Sequence, residues 1–249
     1  DALHVSDFDP TIPGLEVFGV HEIEEGTTGP GVALFSAING EILFLGSQNK
    51  DVGRGVADNI DSTRVGAQMW WSGASSLYDI KGNKIGKVPS STNFLIYWDG
   101  DSSRELLNSN TIDKYGSGRL FTAEGAASNN GTKSTPALSA DIFGDWREEL
   151  ILRSSDNKEL RIYTTIIPTE IKQYTLMHDP QYRVAVAWQN SGYNQPPNPS
   201  FYIGYDMATD PTTGNVVTPT PNIYVAKIGS LGLSTNNGVA SSAMKVYPN

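Results

Sequence analysis

The 249-residue chain contains no cysteine, so it holds neither disulfides nor thiolate metal sites, and cysteine usage leaves both the cytosol and a secreted life open. It is also poor in charge, at 18%, with 27 acidic residues against 18 basic ones and a net charge of −9. No basic run interleaves with aromatics, which argues against a nucleic-acid partner. No apolar run is long enough to span a bilayer, so no membrane partner is expected. No secretory leader is visible, and Asp1-Ala2-Leu3-His4-Val5 reads as the approach to a strand, so the chain is expected to be a fragment.

What the chain has instead is punctuation. Its 25 glycines and 14 prolines, with 38% hydrophobic residues, favour many short strands over long helices, and the fold class is read as all-β. Acidic loops recur, each followed by an apolar strand: Asp7-Phe8-Asp9-Pro10 before Gly14-Leu15-Glu16-Val17-Phe18, and Asn59-Ile60-Asp61 before Gly66-Ala67-Gln68-Met69-Trp70-Trp71. Shorter versions are Asp99-Gly100-Asp101 before Arg104-Glu105-Leu106-Leu107, and Asp141-Ile142-Phe143-Gly144-Asp145 before Glu148-Glu149-Leu150-Ile151-Leu152. Asn39-Gly40 and Gly82-Asn83 read as hairpin turns. Short strands repeating every 40–50 residues or so are the mark of β-propeller blades, which must stack to close their core. About four blades are expected, either a small ring or part of a larger one. The segment Ile171-Lys172-Gln173-Tyr174-Thr175-Leu176-Met177-His178 is read as a short helical turn with His178 as a packed histidine. Residues 206–249 are read as a linker and tail outside the core, with one added strand at Ile223-Tyr224-Val225-Ala226.

Three stretches could carry chemistry. Ala127-Ser128-Asn129-Asn130-Gly131-Thr132-Lys133-Ser134-Thr135-Pro136 packs amides, hydroxyls and one ammonium into a turn, which suits an anionic or hydroxyl-rich ligand, although Asn-Asn-Gly is also an ordinary turn signal. Arg54 stands between Gly53 and Gly55, free to approach a carboxylate; a surface pair with Asp51 is the plainer alternative. Trp188-Gln189-Asn190-Ser191-Gly192-Tyr193-Asn194-Gln195-Pro196-Pro197 offers rings and amides to a sugar, whereas Trp70, Trp71 and Trp98 read as blade packing. The acidic loops present several hard oxygens per turn, the donor set calcium uses, though aspartates in turns also cap their own backbone. On this argument Asp7, Asp9, Glu16, Asp141, Asp145 and Glu148 are the calcium candidates, with His4 a poorer one because imidazole suits calcium badly.

Taken together, several stretches resemble the rhamnogalacturonan lyases of polysaccharide lyase family eleven. They are Asp1-Ala2-Leu3-His4-Val5-Ser6-Asp7-Phe8-Asp9, Lys50-Asp51-Val52-Gly53-Arg54-Gly55, Val88-Pro89-Ser90-Ser91-Thr92-Asn93-Phe94, residues 127–136, Gly144-Asp145-Trp146-Arg147-Glu148-Glu149, Arg161-Ile162-Tyr163-Thr164-Thr165 and residues 174–197, in order over residues 1–205. The resemblance implies the C-terminal half of an eight-bladed catalytic propeller, with the N-terminal half of the same propeller as its partner. It further implies cleavage of the rhamnose–galacturonic acid bond of rhamnogalacturonan I, a pectin polysaccharide, by calcium-assisted β-elimination. The alternative is a non-catalytic, calcium-stabilised propeller that binds carbohydrate or protein. By the same resemblance Lys133 and Arg54 are the catalytic pair, and Asn130, Gly131, Thr132 and Tyr193 contact substrate. Lys133 is the expected base, since a desolvated lysine can shed its proton whereas arginine stays charged. Secretion is expected, because the implied substrate is a wall polymer too large to import intact.

Overall fold

The computed structural model describes residues 2–25, 27–191 and 194–219. They form four antiparallel sheets of four strands each, arranged as propeller blades. Blade one comprises β1 (Ala2–Ser6), β2 (Glu16–Val20), β3 (Pro30–Ser36) and β4 (Ile42–Gln48). Blade two comprises β5 (Gly55–Asp58), β6 (Gln68–Trp71), β7 (Leu77–Asp79) and β8 (Lys84–Gly86). Blade three comprises β9 (Phe94–Ile96), β10 (Glu105–Asn108), β11 (Thr111–Lys114) and β12 (Gly118–Thr122). In these blades the strands pair in chain order, and burial falls outward, from the wholly buried β5 and β9 to the largely exposed β4, β8 and β12. Asn39-Gly40 and Gly82-Asn83 do turn the hairpins, with both glycines at positive φ.

Blade four departs from this order. Its inner strand is split into β13 (Ala126–Ala127) and β14 (Leu138–Ala140), both pairing with β15 (Glu149–Ser154), which in turn carries β16 (Leu160–Tyr163). The amide-rich stretch therefore interrupts the innermost strand of a blade.

One hydrogen-bond device recurs in every blade. The first residue of the second strand is Glu16, Gln68, Glu105 or Glu149, and one of its side-chain oxygens accepts two successive backbone amides from the loop after the inner strand. The amides belong to Phe8 and Asp9 (2.8 and 2.9 Å), Ile60 and Asp61 (both 2.8 Å), Trp98 and Asp99 (2.7 and 3.2 Å), and Ile142 and Phe143 (2.9 and 3.1 Å). Buried amides must be paired, and this device pairs two per blade.

Between blades lie apolar seams: Phe18, Val32, Leu34, Met69 and Trp71 join blades one and two, while Trp98, Leu107, Leu150 and Leu152 join three and four. Trp70, Trp71 and Trp98 are all buried, as blade packing requires. Gly55 is needed at the first seam, since a Cβ there would stand 2.5 Å from Val20 Cγ1. Its smallness thus serves blade packing, where the sequence suggested ligand approach.

The segment after blade four holds more helix than expected. A 3₁₀ turn (Leu176–His178) leads into α1 (Pro180–Trp188), capped by Asp179 and begun by Pro180. His178 is buried and bonded to the Thr175 carbonyl. The following residues run along the inner strands: the Ser6 hydroxyl donates to the Pro199 carbonyl, and the Asn198 amide to Asp58. Tyr97, Trp146, Leu176, Tyr182, Phe201 and Ile203 form a core around this axial segment. Packing continues past residue 205, with Met207 against that core and Val216 N donating to Lys172 O at 2.9 Å. Ile223-Tyr224-Val225-Ala226 lies outside the described residues.

Candidate functional site

Arg54 immediately precedes β5 and is only 5% exposed, so it is no surface arginine. Its Nη2 donates to the carbonyls of Asn93, just before β9, and of Asn194, at 3.2 Å for the latter. Asn194 is held in turn by its amide on Pro136 O at 3.0 Å. Arg54 is thus gripped by the leading edge of blade three and by the axial segment.

Lys133 arrives from the interruption of blade four. Asn130 Oδ1 accepts from Thr132 N, Thr132 Oγ1 and Lys133 N, each at 2.9 Å, which curls the loop into a compact turn. Ser134, at φ 52°, donates to Asn130 O, and Ser109 N from blade three braces Ser134 O at 3.0 Å. From this turn the Lys133 ammonium reaches the carbonyl of Gly53, 80 residues earlier in the chain, at 3.4 Å. The Lys133 side chain therefore ends on the residue before Arg54, at one end of the inner strands.

Thr132, Gly131 and Asn130 are exposed on the rim beside it, and a Cβ at Gly131 would meet nothing within 4 Å. A ligand has room there. Asn130 differs from its expected role in one respect: its carboxamide oxygen shapes the loop. Tyr193 lies outside the described residues. Asn93 lies in a resembling stretch and Asn194 also in the amide-rich stretch offered to a sugar, but their hold on Arg54, like the brace from Ser109, comes from tertiary placement alone.

The acidic loops sit elsewhere. Each follows the far end of an inner strand, so Asp58 and Asp141 stand roughly 10–13 Å along the strands from the Arg54 and Lys133 end, at about 3.3 Å per residue. The calcium candidates also divide by their partners. Glu148 is no candidate: it is fully buried, 3.1 Å from Arg104 Nη2, and takes the Tyr182 hydroxyl at 2.6 Å and Tyr97 N at 2.9 Å. Nor is His4, whose buried ring bonds Gly55 O at 3.0 Å; burial first, then Arg54 and Arg104, push it down to about 4, so it stays neutral. Asp141 takes Thr175 Oγ1, Leu176 N and Gly144 N, and Asp145 pairs with Arg147. Asp9 pairs with Lys81 and Thr11. In blade one, however, Asp7 Oδ1 and Glu16 Oε1 are buried acceptors without a hydrogen-bond partner. These two oxygens fit a cation, and burial raises both carboxyls above their usual range.

A model of the C-terminal domain of rhamnogalacturonan lyase family 11 matches residues 1–213. Rhamnogalacturonan endolyase YesW of Bacillus subtilis (strain 168) is 54% identical over 225 residues, covering 88% of this chain and 36% of the relative. Rhamnogalacturonan exolyase YesX of the same organism is 46% identical over 247 residues, covering 91% of this chain and 39% of the relative. The crystal structure of YesW superposes with a TM-score of 0.81 at 52% identity, covering 91% of this chain and 38% of that one. The chain thus spans well under half the length of these relatives. Domain match, identity and superposition agree, and the chain belongs to rhamnogalacturonan lyase family 11, as its C-terminal domain.

Proposed function

We propose that this chain supplies the Lys133–Arg54 half of a polysaccharide lyase that cleaves the rhamnose–galacturonic acid bond of rhamnogalacturonan I in pectin. The observation that carries the reading is the convergence of Lys133 on the Gly53-Arg54 segment, beside an open rim of Asn130, Gly131 and Thr132, in a member of a lyase family. Lys133 takes the proton from C5 of the galacturonate, whose electrons become the C4–C5 double bond. The oxygen linking C4 to rhamnose leaves with its bonding pair. Charge grows on the uronate carboxylate as C5 loses its proton, and the fixed guanidinium of Arg54 answers that charge. Thr132 and the Gly131 backbone hold sugar hydroxyls at the rim, and Tyr193 is a further substrate contact.

Calcium enters the proposal at blade one, held by Asp7 and Glu16 with Asp9 beside them, where it would neutralise buried carboxylates and stiffen the loop. The distance along the strands separates that ion from the reacting carboxylate. Ligands for a calcium ion at the reacting centre itself would come from the N-terminal half of the propeller. That half is the proposed partner. It would cover the outward face of blade one, where Leu3 and Leu45 are exposed, and the cavity of about 390 Å³ between Leu3, Val5, Val184 and Trp188. The combined propeller has eight blades in this reading and works outside the cell, where its substrate is.

The test is ultraviolet absorbance of unsaturated uronate released from rhamnogalacturonan I by the complete protein. Lys133→Ala should lower turnover by roughly 10²–10⁴-fold, the range for a lost general base, with the fold intact. Near-native turnover by Lys133→Ala would remove it from the chemistry. Tight polysaccharide binding with no unsaturated product from the unaltered protein would instead identify a binding propeller.

A further inference from the structure

Among the described residues one group of carboxylates converges as metal ligands do: Asp99, Asp101 and Glu105 of blade three, with oxygens within 4.8 Å of one another. The group is not vacant of charge. Lys114, on the neighbouring strand β11, brings its ammonium to 2.9 Å from Asp99 Oδ2, 2.7 Å from Asp101 Oδ2 and 2.7 Å from Glu105 Oε1, and bonds Ser103 Oγ at 2.9 Å. Its side chain is 13% exposed. We propose that blade three carries a built-in cation: the Lys114 ammonium stands where a divalent ion would sit, so this loop neither takes up nor needs calcium.

The geometry supports substitution over coexistence. Calcium wants six to eight oxygens at 2.3–2.6 Å, and three of those on offer already face one ammonium from a common side. An ion entering here would have to expel a charged, mostly buried side chain. Burial alone would pull Lys114 down, but Glu105 beside it and its bonds to Asp101 and Asp99 outweigh that and hold it well above the usual lysine range. Blade one gives the contrast within the same chain. Lys81 meets Asp9 and Thr11 there, yet Asp7 Oδ1 and Glu16 Oε1 stay unpartnered and buried. Two loops of one repeat thus differ by whether a lysine fills the centre, and this distinction stands whatever reaction the protein catalyses.

The experiment counts ions on the full chain in chelator-stripped buffer, by equilibrium dialysis with calcium and by terbium emission sensitised through tryptophan, Trp98 being bonded at its amide to Glu105. Asp101→Asn should leave the calcium stoichiometry of the unaltered protein unchanged. Lys114→Met, which keeps the length of the stem, should gain one ion per chain and a calcium-dependent rise in Tm. The added Asp101→Asn change should abolish both gains. The proposal is overturned if Asp101→Asn alone removes an ion, because the loop then binds calcium with Lys114 displaced. It is equally overturned if folded Lys114→Met gains no ion. Should Lys114→Met fail to fold, the comparison of unaltered protein with Asp101→Asn still decides.

Discussion

Lys133 reaches from blade four to the carbonyl of Gly53, the neighbour of Arg54 at the start of blade two, and no spacing rule in the chain foretells it. Each was visible as a residue type: an ammonium in an amide-rich turn, a guanidinium between glycines. That reach was not, because it depends on blade four splitting its inner strand around residues 128–137 while blade two begins at Gly55. Asn130 tests this at single-residue resolution. Asn130→Ala removes the acceptor of three hydrogen bonds in an exposed loop, so kcat/KM of the complete protein should fall more than tenfold while Tm moves by only a few degrees; unchanged kcat/KM would show that the turn does not aim Lys133. His4 gives a pH prediction. Its folded pKa, about 4, lies below the unfolded value near 6.5, so the unfolded chain binds the extra proton first. The stability that neutral His4 contributes is therefore complete above pH 6.5 and falls by about 1.4 kcal/mol per unit as pH drops toward 4. Urea unfolding at pH 7 and pH 5 should show a smaller loss in His4→Gln than in the unaltered protein.

At the scale of the element, the loop-and-strand unit is legible in the sequence, and the structural job of its glutamates is not. Glu16 stands out in the sequence as a calcium candidate because it follows an acidic turn, yet its Oε2 also accepts the amides of Phe8 and Asp9. Gln68 occupies the same place in blade two and accepts the same two amides, so the shared job needs an acceptor and no charge. That clue was already in the sequence, where Asp9 to Glu16 and Asp61 to Gln68 share one spacing, and the sheet register bears the alignment out. Glu149→Gln should accordingly unfold within about 1 kcal/mol of the unaltered protein, the worth of a typical hydrogen bond. Glu149→Ala strands two amides, at about 1–3 kcal/mol for each left unpaired, and should cost several times more in denaturant melts. Equal losses in the two variants would refute the acceptor role. The helix α1 was only half legible. His178 is packed, as its sequence setting suggests, whereas the nine-residue helix that Pro180 opens is longer than the single turn the sequence predicts.

For the molecule as a whole, the deciding cluster is the one no motif announced. Arg104 is fully buried, 3.2 Å from Asp58 of blade two, 3.1 Å from Glu148 of blade four, 4.3 Å above the Tyr97 ring and 2.5 Å from Pro197 O. Burial raises both carboxyls, yet each remains tied to the guanidinium. Arg104→Met should destabilise the protein by about 3–5 kcal/mol, since removing one partner leaves buried charge uncompensated. A loss under about 1 kcal/mol in equilibrium unfolding would show that the blades hold together without it. Sequence reading found the four blades because their seams are apolar and periodic; it missed this hub because a lone arginine before a strand has no pattern. The axial segment that completes the hub also has a position in time. Residues 194–203 bond to Arg54, Arg104, Asp58, Ser6 and Asn59, so all four blades emerge from the ribosome before the strap that laces them together exists. During synthesis the nascent blades must wait with their inner polar edges open until residues 194–203 follow them out.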